Sequence, residues 1–411
     1  MARFLFVVPP LVGHINPTVS VAHELRVAGH QVAWVGHAHP VKARLPDDAH
    51  FFELPELLPD DEYSAYYARS HGLRGARALK FLWEDFLVPL ARSMYGGVDS
   101  AVDEFRPHAL IVDQQAIAGA MVARKRDLAW ATSATTSASI MDPFADLPKI
   151  QEWKEAQLAS LMSEAGVATV CDADLSPHLV IAFSTRDLCG ASYPFPSHYR
   201  FVGPSLSARS ETTAFPWQAL DTELPIVLIS LGTLNGEAGA RFYREILEAL
   251  RELAVQMIMV APTSLLPEVI PRNALVREYV PQLALLPHVS AVVCHAGHNT
   301  VAESLAHGIP VVVAPIKDDQ PIVAQQVVDA GVGIRVKFGR VRAPALREAV
   351  CRILTDESFG RAAYQIRNSF NAAGGARRAA RLVAELVEPE RGRADASTTR
   401  SPHDHLENAP T

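Results

Sequence analysis

Cysteine is scarce in this chain of 411 residues: Cys171, Cys189, Cys294 and Cys351 lie far apart and form no C-x-x-C pair. That pattern excludes a disulfide framework and a zinc ribbon, and it reads as isolated thiols of a reducing compartment. Positive charge is not in excess. The net charge is −7, and no long run of Lys and Arg precedes the C-terminal tail, which argues against a nucleic-acid surface. No apolar run approaches the roughly 18–20 residues of a membrane span. The opening MARFLFVVPP is broken by Pro9-Pro10 too early for a signal-peptide core. The chain is therefore expected in the cytoplasm, without stable membrane insertion. No G-x-G-x-x-G follows the first strand of either half, which disfavours a dehydrogenase. The pairs His37/His39 and His403/His405 have no further ligands at tetrahedral spacing, so they are expected to be solvated loop histidines and no metal site is expected.

What the chain has is apolar content, 49 % of its residues, enough for the interiors of two ordinary domains. Phe4–Val8 is a continuous apolar run, the mark of a strand buried on both faces of a parallel sheet. A loop through His14 follows, with Asn16 as a helix N-cap and Pro17 at the first helical position. Val21, Leu25 and Ala28 share one helical face, Gly29 closes the helix, and Gln31–Val35 is the next strand. Residues 45–67 read as irregular, and 73–98 as a helix rich in aromatics. Ala109–Val112 is a strand ending on Asp113, a run of small and hydroxyl residues covers 129–139, and Leu179–Phe183 and Tyr199–Val202 are further strands. Between Gly203 and Glu223 the composition shifts to Ser, Thr, Pro and Ala with no periodic face. The expected organisation is an α/β fold of two doubly wound domains, residues 1–204 and 223–387, with a linker at 205–222 and a polar, disordered tail at 388–411.

The most informative stretch is VVCHAGHNTVAESLAHGIPVVVAPIKDDQ, Val292 to Gln320. A buried strand turns through small residues into a short helix, whose unpaired N–H groups and dipole favour an anion. His295 and Asn299 sit at that turn, Glu303 one helical turn on, and Asp319-Gln320 after the next strand, a set suited to phosphate, ribose and sugar hydroxyls. This segment resembles the donor signature of the family-1, UDP-dependent glycosyltransferases, H-x-G-x-N-[ST]-x-x-E, then G-[IV]-P, then D-Q. The matching positions are His295, Gly297, Asn299, Thr300, Glu303, Gly308, Ile309, Pro310, Asp319 and Gln320. A motif of about ten fixed positions is far more specific than a lone glycine loop.

The resemblance implies two facing Rossmann-like domains (the GT-B fold), with the last helix packing back on the first domain. It implies donor contacts from Ser230, Gly232 and Thr233, which resemble an S-x-G-[ST] phosphate loop. Tyr279, Val280 and Gln282 resemble W-x-P-Q, in which the aromatic stacks on the base and Gln meets the ribose. Tyr in place of Trp, and His298 where Trp is common, are departures that leave uridine and thymidine both open. The G-H-x-x-P context at Gly13–Pro17 implies His14 as catalytic base, a role suited to an imidazole near neutrality. Asp113, at the carboxyl edge of its strand, is its expected partner, set against the alternative of a helix N-cap. Trp83, Phe86 and Phe144 are offered as acceptor-side residues, with ordinary core as the equal alternative.

The expected activity is metal-independent, inverting transfer of a sugar, glucose first, from a UDP- or TDP-sugar to a hydroxyl of a small apolar natural product, by a monomer or homodimer. The nucleotide sugar is a co-substrate and no cofactor is expected. A nucleotide-sugar epimerase or phosphorylase of the same fold, or a non-catalytic auxiliary protein, are the rivals.

Overall fold

A computed structural model describes residues 1–56, 69, 73, 75–141, 147–206, 214–232 and 236–387. The expected tail, Thr233, Phe144 and part of the linker lie outside these. Seven parallel strands form the first sheet: β1 (Arg3–Val7), β2 (Gln31–His37), β3 (His50–Leu54), β4 (Ala109–Asp113), β5 (Ala129–Ala134), β6 (Leu179–Ala182) and β7 (Tyr199–Phe201), in the order 3-2-1-4-5-6-7. Six form the second: β8 (Ile226–Ser230), β9 (Gln256–Val260), β10 (Ala274–Arg277), β11 (Ala291–Cys294), β12 (Val311–Val313) and β13 (Gly333–Arg335), in the order 10-9-8-11-12-13. The helices that matter below are α1 (Val12–Val27), α2 (Val88–Phe105), α3 (Ile117–Lys125), α4 (Gly236–Leu250), α5 (His298–Ala306), α6 (Gln320–Asp329) and α7 (Gly375–Glu385).

Alternate residues of each central strand enter opposite cores, as side-chain alternation requires. Leu5 and Val7 pack with Leu90 and Met94 of α2, while Phe4 and Phe6 pack with Trp34 and Leu25. Ile229 faces Phe242 and Ile246 of α4, and Leu228 faces the opposite core with Val301 and Leu305. The alanine-rich α7 returns to the first sheet, where Ala376, Ala379 and Val383 join the core of Phe4 and Trp34. No described helix is long and apolar enough to cross a membrane.

Several local expectations are corrected. Residues 45–67 contain β3, and β10 was not foreseen; both are edge strands with only one buried residue between them, so their apolar signal is weak. Helix α1 begins at Val12 after Leu11, so Asn16 is not its N-cap and Pro17 lies inside it. His37 is not solvated: it is fully buried at the end of β2, with Nδ1 2.5 Å from the Pro55 carbonyl oxygen. Asp113 caps no helix, since α3 starts at Ile117 after Ala116.

Candidate active site

In each sheet the strand order reverses once, between β1 and β4 and between β8 and β11. Ligands of open α/β sheets bind at such switch points, outside the carboxyl ends of the strands. His14 follows β1 and Asp113 ends β4. Ser230 ends β8 and His295 follows β11. Both switch points open on one cleft of about 1950 Å³, lined by residues of both halves.

His14 Nδ1 lies 2.9 Å from Asp113 Oδ1 and 2.8 Å from the Thr135 hydroxyl, whose oxygen is 3.4 Å from Asp113 Oδ2. Asp113 is almost wholly buried, and its Oδ1 also accepts the Gln115 backbone N–H. Burial alone would lower the His14 pKa. The Asp113 charge and hydrogen bond, with the charge of Asp319, outweigh it and hold the imidazole above the ordinary histidine value. With Nδ1 engaged, Nε2 is the nitrogen left to take a proton. Thr135 was read only as one of a run of hydroxyl residues; nothing in its sequence neighbourhood marks it as the third member of this group.

The donor-signature turn is built around His295. A Cβ on Gly297 would lie 2.4 Å from His295 Nε2, and one on Gly232 2.8 Å from Cε1, so the ring fits only because both neighbours are glycine. Its Nδ1 is buried with no hydrogen-bond partner among the described residues, and burial lowers its pKa, which keeps the ring neutral. Gly297 is the N-cap of α5 and makes no side-chain cap, so the first N–H groups of this nine-residue helix remain available to an anion. Gly232 adopts φ +74°, a left-handed conformation that costs other residues about 1–2 kcal/mol. Gly232→Ala is expected to lower stability by about that amount and to weaken donor binding by displacing His295. Chemical denaturation and calorimetric titration with UDP would measure both, and unchanged UDP affinity would refute the coupling.

Further along the cleft, Gln282 Nε2 donates to Glu303 Oε2 at 2.6 Å. Gln320 Oε1 accepts the Ile316 and Lys317 N–H groups at 2.8 and 3.1 Å, which shapes the loop before α6 and leaves Nε2 as the side chain's donor. Thr300 lies in the cleft wall, and Val280 packs in the core beneath it. Tyr279 is half exposed and receives a hydrogen bond from Arg44 of the first half at 3.1 Å. Trp83 and Phe86 belong to the first core and show one side to the cleft. Asp318 also lines the cleft, at φ +56°.

The halves meet through contacts that no local pattern announced. Pro17 has no N–H to return to the Gly13 carbonyl four residues earlier. That carbonyl instead accepts Asn299 Nδ2 at 3.0 Å. Thr136 donates to Asp319 at 2.6 Å, Ser137 to Gln326 at 2.7 Å, and the His298 Nε2 lies 3.2 Å from the Phe183 carbonyl oxygen. His298 is buried, which lowers its pKa and suits a neutral ring donating to a carbonyl. The donor turn and the first turn of α1, which carries His14, are thus held against each other directly.

Two facing Rossmann-like units with a cleft between them are the GT-B fold. Residues 201–368 match the family model described as UDP-glucoronosyl and UDP-glucosyl transferase. That match covers most of the second half of the chain. The chain is 27 % identical to the uncharacterized UDP-glucosyltransferase YojK of Bacillus subtilis, over 96 % of this chain and 100 % of that protein. It is 29 % identical to the demethyllactenocin mycarosyltransferase of Streptomyces fradiae, over 95 % and 87 % of the two chains. Among solved structures, the glycotransferase of kitacinnamycin superposes with a TM-score of 0.75 at 22 % identity, covering 94 % of this chain and 99 % of its own.

Proposed function

We propose that this glycosyltransferase moves a hexosyl group, glucose first among the candidates, from a UDP- or TDP-sugar to a hydroxyl of a small, largely apolar natural product in the cytoplasm, with inversion. The observation that carries the reading is the pairing of His14 with Asp113 at 2.9 Å across the cleft from the donor signature. His14 Nε2 takes the acceptor proton while the acceptor oxygen bonds to the anomeric carbon. The bond from that carbon to the diphosphate oxygen breaks, and its electrons leave with the nucleoside diphosphate. A single displacement of this kind inverts the carbon. The α5 N-terminus, the loop after β8 and His295 supply donors for the departing charge, so transfer is expected without added metal. The mycarosyltransferase and kitacinnamycin relatives support a natural-product acceptor, and YojK supports a UDP-glucose donor. The domains divide at 205–222 in this reading. Neither the epimerase nor the auxiliary alternative has an observation in its favour.

The test is a panel of UDP- and TDP-sugars against an aglycone library, run with and without chelator, with anomeric configuration read by NMR. A retained configuration or chelator-sensitive transfer would refute the mechanism. Sugar turnover without any acceptor would refute the transferase reading in favour of an epimerase or hydrolase.

A further inference from the structure

Gln114 follows Asp113 directly and forms part of the cleft wall. Its side chain is buried, at 6 % exposure for the residue, and neither Oε1 nor Nε2 has a hydrogen-bond partner among the described residues. Gln115, also in the wall, carries a buried and unpartnered Oε1. A carboxamide that gives up water and gains nothing in return is costly, and native chains retain few such groups. Several nearby polar side chains are engaged elsewhere: Asp113 with His14, Thr135 with both, Thr136 with Asp319, and Ser137 with Gln326. No described residue satisfies Gln114, and the cleft it lines is where an outside group arrives.

Resting on the transferase reading, we infer that Gln114 determines acceptor specificity. Its carboxamide holds a neutral group of the acceptor that both donates and accepts, adjacent to the hydroxyl that His14 deprotonates. Adjacency follows from the chain. Consecutive Cα atoms are about 3.8 Å apart, so Gln114 stands next to the residue that holds His14, and Gln114 and His14 line the same cleft. Neutrality follows from the carboxamide, which offers one acceptor oxygen and one donor nitrogen and no charge. A second hydroxyl satisfies both at once, giving its proton to Oε1 and receiving one from Nε2. The first half also gives the cleft apolar side chains, Leu79, Leu82, Ile140 and Leu175 among them. The acceptor class is an apolar ring system bearing vicinal oxygen functions, of the catechol kind, rather than an isolated hydroxyl.

Two coumarins that differ by that one group serve as probes, 7,8-dihydroxycoumarin and 7-hydroxycoumarin, titrated by fluorescence against the full chain. Wild type is expected to bind the diol about tenfold more tightly than the single phenol. Gln114→Met, and Gln114→Leu as a second apolar replacement, should erase that preference and raise the ligand-free melting temperature by about 2 °C, because each removes an unsatisfied buried amide. A wild-type preference below about threefold, absence of binding included, overturns the inference, as does a preference that survives both variants. A fall in melting temperature in both variants assigns Gln114 a structural role and overturns it as well. Binding needs no chemical step, so these outcomes leave the transfer reaction to be judged separately through His14.

Discussion

Replacing His14 with alanine is expected to lower kcat by about 10³- to 10⁴-fold while donor affinity stays within about twofold. The asymmetry follows from where the residue sits. His14 belongs to the first half, at the start of α1, and its ring is held by Asp113 and Thr135, not by the donor signature. Removing the ring takes away the proton acceptor and leaves the α5 N-terminus, His295 and Glu303 in place. Single-turnover kinetics with saturating donor give the chemical step, and calorimetry with UDP gives the binding. Unchanged turnover would eliminate His14 as the base. A loss confined to donor affinity would instead mean that the Gly13 carbonyl contact with Asn299 Nδ2 has been disturbed, because that contact ties the two loops together.

Asp113→Asn carries the second large effect, with a sign in pH that separates its role from a structural one. The base must be neutral to act, so activity falls as pH drops through the His14 pKa. In the wild type that pKa lies above the ordinary value, and the Asp113 charge and hydrogen bond are what raise it against burial. With asparagine, burial prevails and the acid limb of the kcat/KM profile should move to lower pH. The same substitution withdraws the negative charge that stabilises the imidazolium as it forms, so the plateau rate should fall by about 10²- to 10⁴-fold. The deficit should therefore be greatest on the plateau and narrow at acid pH, where the wild type has already lost its base. A kcat/KM series from about pH 5 to 9 records both features. A uniform loss with no shift of the limb would reduce Asp113 to a packing residue. Thermal melting of the variant distinguishes that case, since Asp113 also holds the Gln115 N–H.

Short-range chemistry made part of this protein legible in advance. The donor signature is one contiguous strand–turn–helix, and its meaning rests on local needs: glycines at 297 and 308, an uncapped helix start, and a carboxylate one turn along. The central strands were equally plain, because burial on both faces demands unbroken apolar runs such as Phe4–Val8. Edge strands β3 and β10 escaped because each is half covered and its residues stay mixed. His37 was misread because only the closure of β2 against Pro55 and Ser93 buries it. The role of Pro17 also ran against rule: a helix that starts five residues earlier turns a favourable first-turn proline into a gap in the hydrogen-bond ladder, and Asn299 fills it.

By itself, then, the sequence pointed to a nucleotide-sugar donor, a two-domain α/β architecture and His14 as the candidate base, since each is written in side chains within a few residues of one another. Tertiary structure alone decided the active centre. Thr135 joins His14 from 121 residues away, Thr136 meets Asp319 across 183, and Arg44 meets Tyr279 across 235. Such pairings leave no periodicity or spacing to read, because they form only when two separately folded sheets bring their switch points face to face. The unpartnered carboxamide of Gln114 is of the same kind: a glutamine is unremarkable in a sequence, and its want of a partner exists only once everything around it has been placed.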